Sequence, residues 1–428
     1  MKKNLFIKST LILILSGFLT KMLGFIIKVV YTRIIGEYGI SLFTIATPTY
    51  SLLLTISTLA IPISISKLVS ENKGRSIRIL TSAAFLILSI NFLLILIIFL
   101  TKDFIAINLL KEPLAAPILM AFALTLPFVS ISAVLKGYFA GKQNMVPHAI
   151  SNILEQIVRL IIIVTILPML MKKSVMYAVL GLILLTILSE ISSIIVFLFF
   201  LPKHINYKNN LLPSKKHTKD ILNISLPTVS SRIIGNIGYF LEPIILTNLL
   251  LFSGYTNAYI LREYGAYNAY SLALLTMPGF FIAAISTSLL PEISKFHGER
   301  NSSMVKRRIK QSLLFALLIG TFFSFIIFTF RDKLLFTLYN TTNGSDYIKI
   351  LAPFFVLFYL EGVLTSALQA LGHAKITMNI TLWGVILKLL VMAILSLCHI
   401  GIYSLVIAEI INILFVVLIN FKYLKIYV

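Results

Sequence analysis

Between residues 5 and 421 long apolar stretches alternate with short polar connections, and twelve of the stretches reach the roughly 20 residues an α-helix needs to cross a bilayer. They run over residues 5–32, 41–66, 77–101, 115–136, 147–171, 175–200, 220–247, 266–291, 309–330, 349–371, 377–398 and 402–421. With 58% hydrophobic and 12% charged residues, the 428-residue chain cannot clothe a soluble globule in polar surface. The expected class is an all-α polytopic membrane protein. The first 21 residues look like a signal peptide, yet no small-residue cleavage site follows and the apolar run continues through Lys21 to Val30, so they read as the first span. Cys398 is the single cysteine, which excludes an internal disulfide and a cysteine metal cluster.

Lysine and arginine in the connections set the orientation, because positive flanks stay on the cytoplasmic side. With the N-terminus inside, the inner segments hold 23 of the 37 basic residues and the outer segments 9, so both termini are expected in the cytoplasm. Lys136 and Lys142 are counted among the inner segments. The net charge of +22 is mainly this inside bias and calls for no nucleic-acid partner.

The longest polar connection, residues 201–219, divides the spans six and six. Domains are therefore expected at 1–200 and 220–428, joined by a cytoplasmic linker at 201–219. An internal repeat supports the division. Ser66-Lys67 followed by Glu71 in the first half answers Ser294-Lys295 followed by Glu299 in the second. Lys21 and Gly24 answer Arg232 and Gly235, and Arg159 answers Lys388. Because six is even, both halves enter from one side, which gives parallel repeats, two lobes, a central cleft and rocking alternating access.

Five basic residues, Lys21, Lys28, Arg159, Arg232 and Lys388, fall inside the spans. A cation near the bilayer centre costs about 2.5 to 3.5 kcal/mol on the insertion scale, so such residues face a protein interior or a wet cavity and mark transport paths. In the first span Gly17, Lys21, Gly24, Lys28 and Thr32 share one face. Lys28 lies close enough to the helix end for a snorkelling reading to stand beside a cavity-lining one. The fifth span carries His148, Asn152, Glu155 and Arg159 as a stripe, with Glu155 four residues ahead of Arg159. That pair reads either as structural or as a switch opened by substrate phosphate or by protonation of Glu155.

Further polar faces are Ser51, Thr55 and Thr58 in the second span, Arg232, Asn236 and Tyr239 in the seventh, and Glu361, Thr365 and Gln369 in the tenth. Ser51, Thr55, Gly24, Asn152 and Asn236 are expected to line the cavity, and Glu361 is a candidate for neutralising a cation or for coupling. Glu190 and Glu409 find no assignable partner in sequence. Pro48, Pro62, Pro127, Pro227, Pro278 and Pro353 are expected to kink their spans. No phosphate-binding G-x-x-x-x-G-K-[ST] loop, H-E-x-x-H or G-x-S-x-G occurs, so neither nucleotide hydrolysis by that route nor these catalytic chemistries are expected.

Residues 137–159 (GYFAGKQNMVPHAISNILEQIVR), 61–71 (IPISISKLVSE) and 276–295 (TMPGFFIAAISTSLLPEISK) resemble the stage V sporulation protein B and polysaccharide-flippase branch of the multidrug/oligosaccharidyl-lipid/polysaccharide exporter superfamily. The resemblance implies a two-lobed, MATE-related bundle in the bacterial cytoplasmic membrane, acting as a monomer and related to lipid II flippases of the MurJ type. It implies translocation of an undecaprenyl-diphosphate-linked cell-wall or polysaccharide precursor, with the sugar and diphosphate in a cationic cavity and the isoprenoid tail in lipid. MurJ-type flippases carry S-R-x-x-G-x-x-R in the first span; here Thr20, Lys21 and Gly24 match, Lys28 comes one residue late, and the arginine expected in the eighth span is missing. On this reading Lys21, Lys28, Arg159, Arg232 and Lys388 bind the diphosphate, Glu155 and Glu361 pair or couple, and no metal or cofactor is required. Direction would come from membrane potential, a proton or sodium gradient, or product consumption. The alternative is a MATE-type proton- or sodium-coupled multidrug exporter, which calls for deep acids to exceed deep cations.

Overall fold

The computed structural model describes residues 2–71, 76–201 and 213–427, the side chains of residues 2–15 and 231 excepted. Among these residues all regular structure is helical. The chain clusters into two compact units, Met1–Phe240 and Leu241–Val428.

The first unit opens with α1 (Lys2–Thr58), which continues through the connection expected between the first two spans. It is interrupted only at Gly36, whose φ of 68° and ψ of −178° belong to a region open essentially to glycine alone. A second break follows at Leu59 and Ala60, both at positive φ, before α2 (Ile61–Glu71). The expected second span is therefore broken just ahead of Pro62, which has no N–H to continue a ladder. Ser130 supports the break, placing its Oγ 2.5 Å from Ser57 Oγ.

Next come α3 (Ser76–Phe104) with a π-helical extension (Ile105–Leu109), α4 (Ala115–Gly141), α5 (Val146–Met171) and α6 (Val175–Phe200). Pro147 occupies the first turn of α5, and Ser174 caps α6 by accepting from the Tyr177 N–H at 3.2 Å. Lipid gives apolar surface no reason to leave it, so helices here associate through close fit and polar contacts. Gly137 and Gly141 show the fit: a Cβ on Gly137 would lie 2.7 Å from Pro62 Cα, and one on Gly141 2.7 Å from Ser66 O. These glycines let α4 lie directly on α2, around a core of Ile61, Ile65, Val69, Ile79, Val134 and Phe139.

The helix α7 (Lys215–Phe252) begins in this unit. Ile221 and Val229 join the same core, Ser225 Oγ lies 2.6 Å from Ser64 Oγ, and Asn236 Nδ2 donates to Thr55 Oγ1 at 2.8 Å. The compact units thus divide within α7, between Phe240 and Leu241. Most of the expected linker, residues 202–212, lies outside the described residues.

The second unit continues with α8 (Asn257–Gly265), a π-helical turn (Ala266–Ser271), α9 (Leu272–Thr276), α10 (Gly279–Gly298), α11 (Ser302–Tyr339), α12 (Ser345–Ala370), α13 (Ala374–Ser396) and α14 (Tyr403–Tyr427). Residues Asn257–Thr276 and Gly279–Gly298 meet at a 51° bend, with Pro278 at the break. Pro48, Pro127 and Pro353, by contrast, lie within helices that continue past them. On α13, Gly384 admits α14: a Cβ there would meet Asn412 Oδ1 at 2.7 Å and a Val416 methyl at 2.8 Å.

By length and composition ten helices among the described residues can cross a membrane, or up to eleven if the bent pair is one span. Twelve were expected. The difference arises in part at Ser16–Glu71, where 56 residues form one apolar helical stretch covering the first and second expected spans. At about 1.5 Å of rise per residue such a stretch would extend about 84 Å if straight, nearly three times the roughly 30 Å of hydrocarbon.

Candidate functional site

In the first unit α5 presents Glu155 and Arg159 one turn apart, and the i,i+4 spacing brings Arg159 Nη2 within 3.0 Å of Glu155 Oε1. Three residues from other helices complete the cluster. Arg159 Nη2 also lies 3.6 Å from Glu190 Oε1 on α6, and its Nε donates to Ser189 Oγ at 3.1 Å. Lys136 Nζ on α4 approaches Glu155 Oε2 at 3.3 Å. Counted above with the inner connections, Lys136 instead belongs to α4 and serves a buried carboxylate. Glu155 and Glu190 are both 6% exposed, burial that charged groups tolerate only when matched.

This cluster forms one wall of a cavity of about 420 Å³. To the same lining α1 contributes Gly24, Lys28 and Tyr31, and Tyr31, Phe43, Tyr50 and Phe122 give an aromatic surface in which Tyr50 and Phe122 stack at 4.3 Å. Lys28 has no carboxylate within 4 Å among the described residues. Three cations, Lys28, Lys136 and Arg159, thus share the neighbourhood with two carboxylates, Glu155 and Glu190. Gly24 lines the cavity, whereas Ser51 and Asn152 do not; Asn152 Nδ2 is 3.2 Å from His148 Nδ1. Thr55 and Asn236 bond each other. Lys21 and Arg232 are exposed and lack an ion-pair partner among the described residues.

The second unit resolves its cation differently. Lys388 Nζ sits 2.6 Å from Glu242 Oε2 on α7 and 2.6 Å from Glu409 Oε2 on α14, while Tyr264 OH donates to Glu242 Oε1 at 3.2 Å. Glu361, weighed above as a neutraliser, is not a partner of Lys388. Instead α12 turns it into a separate cavity of about 440 Å³ beside the bend of α9 and α10, lined also by Thr276, Ser286 and Thr365. Glu242 was missed in sequence, and only the count of acids inside the seventh span signals it. Glu190 and Glu409, left without partners above, hold equivalent places: each unit ties a basic residue, Arg159 or Lys388, to a glutamate on the next long helix.

No group of three or more His, Cys, Asp or Glu among the described residues is arranged to hold a metal ion. What the first unit offers is a polar and aromatic cavity with one ammonium in excess of its carboxylates, suited to an anionic group.

The family described as "Polysaccharide biosynthesis protein" matches residues 6–297, and the MatE family matches residues 243–394. The chain is 34% identical over 401 residues to stage V sporulation protein B of Bacillus subtilis (strain 168), covering 91% of this chain and 77% of that one. To the lipid II flippase MurJ of the same organism it is 22% identical, over 90% and 76% of the two chains. Among solved structures it is similar to a multidrug resistance MATE family transporter of the MOP superfamily, described in an inward-facing conformation, with a TM-score of 0.76 and 14% identity over 95% of this chain and 94% of that one. That likeness establishes the MATE-like two-lobe fold.

Proposed function

Since the chain belongs to the polysaccharide biosynthesis protein family of MOP-superfamily membrane exporters, we propose that it translocates an undecaprenyl-diphosphate-linked cell-wall or polysaccharide precursor across the bacterial cytoplasmic membrane. The observation that carries this reading is Lys28. Its ammonium faces the cavity of the first unit, where Arg159 and Lys136 already hold the carboxylates, and it remains without one among the described residues. An unmatched, half-buried cation within a membrane span is costly, and an anionic cargo offsets that cost only while it is bound.

Under this proposal the five cations divide. Lys28, Lys21 and Arg232 engage phosphate oxygens, and the isoprenoid tail stays in lipid. Arg159 and Lys388, expected above to act as phosphate ligands, serve chiefly to hold Glu155, Glu190, Glu242 and Glu409 in place. Gly24 leaves room beside Lys28. Glu361 is the coupling candidate, and direction comes from membrane potential, an ion gradient or product removal. Both termini face the cytoplasm, and one chain suffices.

The test is complementation of a strain depleted of its own lipid II or polysaccharide flippase. Lys28→Ala and Arg232→Ala are expected to reach the membrane at normal level yet fail to support growth, while Lys28→Arg supports it. Normal growth with Lys28→Ala would remove the basis of the reading. Resistance to cationic drugs in expressing cells, lost with Glu361→Gln, would favour the multidrug alternative instead.

A further inference from the structure

The helix α11 carries a second basic feature, which lies on the outer face of the second unit. Lys306, Lys310, Leu314, Leu317, Thr321 and Phe325 follow one another at spacings of four, four, three, four and four, and all six are exposed. One helix face therefore begins with two cations and continues as a hydrophobic stripe, with Leu314 at 55% and Phe325 at 67% exposure. Arg307, beside Lys306, is exposed as well.

The spacing along the helix places the charges. From Lys310 to Arg331, the basic residues that bracket the apolar run, is a rise of about 32 Å at 1.5 Å per residue, close to the roughly 30 Å of hydrocarbon. Lys310 therefore lies at the hydrocarbon edge, and Lys306 about 6 Å further out, at the depth of lipid phosphates. Nearby acids are already engaged: Glu292 meets Arg308 Nε at 2.8 Å and Glu299 lies 3.9 Å from Lys295. Among the described residues Lys306, Arg307 and Lys310 have no carboxylate within 4 Å.

We propose that this face is a binding site for a resident anionic phospholipid, its phosphate held by Lys306, Arg307 and Lys310 and its acyl chains lying along Leu314, Leu317 and Phe325. Charge complementarity selects the occupant. A zwitterionic lipid offers the same chains without net charge, and a free phosphate has no use for the stripe. The site is independent of the transport reading, since it shares no residue with the cavity.

The test uses the purified full chain in neutral detergent, with thermal unfolding followed as phosphatidylglycerol, phosphatidylcholine or inorganic phosphate is added. Phosphatidylglycerol is expected to stabilise the protein at the lowest concentration. Each cation near the surface contributes about fivefold in affinity at low salt, so K306Q/R307Q/K310Q should raise the half-saturating concentration about a hundredfold. The control K172Q/K173Q, at the exposed turn after α5, should leave it unchanged, and K306R/K310R should retain binding. Unchanged phosphatidylglycerol dependence in the triple variant would overturn the proposal, as would equal stabilisation by phosphatidylcholine or by inorganic phosphate.

Discussion

Replacing Lys388 by alanine removes the one cation placed 2.6 Å from both Glu242 and Glu409. Glu242 is 3% exposed and cannot turn to water, and the Tyr264 hydroxyl supplies it with a single hydrogen bond. Breaking a buried pair by deleting one partner costs about 3 to 5 kcal/mol, because the remaining charge stays desolvated and unmatched. The ratio of folded to unfolded protein should accordingly fall by roughly two to four powers of ten. The chain has a single tryptophan, Trp383, on α13 one and a half turns before Lys388, so denaturant unfolding can be followed by its fluorescence in this unit. The neutral triple variant E242Q/K388M/E409Q removes all three charges together and should recover stability to within about 1 kcal/mol of the parent, as replacement of whole buried ion clusters often does. Lys21→Ala and Arg232→Ala, at exposed positions without ion pairs among the described residues, should change stability by no more than about 0.5 kcal/mol. A Lys388→Ala protein within about 1 kcal/mol of the parent, or a triple variant less stable than the single one, would refute the reasoning.

The same logic extends to the first unit and to its packing. Glu155→Gln leaves Lys136 and Arg159 without their shared carboxylate and should lower stability by about 1 to 3 kcal/mol in the same unfolding assay, with Glu190 limiting the loss. Gly137→Val forces a side chain where a Cβ already meets Pro62 at 2.7 Å, and overpacking of about 1 to 3 kcal/mol should appear as reduced thermal stability and less protein in the membrane. Asn236→Ala removes the 2.8 Å bond to Thr55 and should cost about 1 kcal/mol, measured against Thr55→Val in a double-mutant cycle.

Much of this was legible along the chain, and what was legible was local. Glu155 and Arg159 could be paired by spacing because one helical turn separates them. Glu242, Lys388 and Glu409 could not, since they come from α7, α13 and α14, and spacing within one helix says nothing about its rotation against another. Glu361 was weighed as a neutraliser of a cation, yet it has no basic partner within 4 Å among the described residues, for the same reason. Lys136 was assigned to a connection because hydropathy falls away there, whereas the chain stays helical to Gly141. The break at Leu59 and Ala60 falls beside Pro62, where the sequence led one to expect a kink, whereas the contact of Ser57 with Ser130, far off in sequence, could not be read.

Apolar length, charge bias and in-helix periodicity determined by themselves that this chain is a bundle of membrane helices with cations at unusual depth, because each is a property of one segment in contact with lipid or water. Which of those cations are matched was decided only by the tertiary structure. An ion pair needs approach within 4 Å across helices, and that approach is set by how closely small residues such as Gly384 let neighbours come and by the face each helix then presents. The result is an internal division of labour, with Arg159 and Lys388 held by carboxylates and Lys28 left facing a cavity.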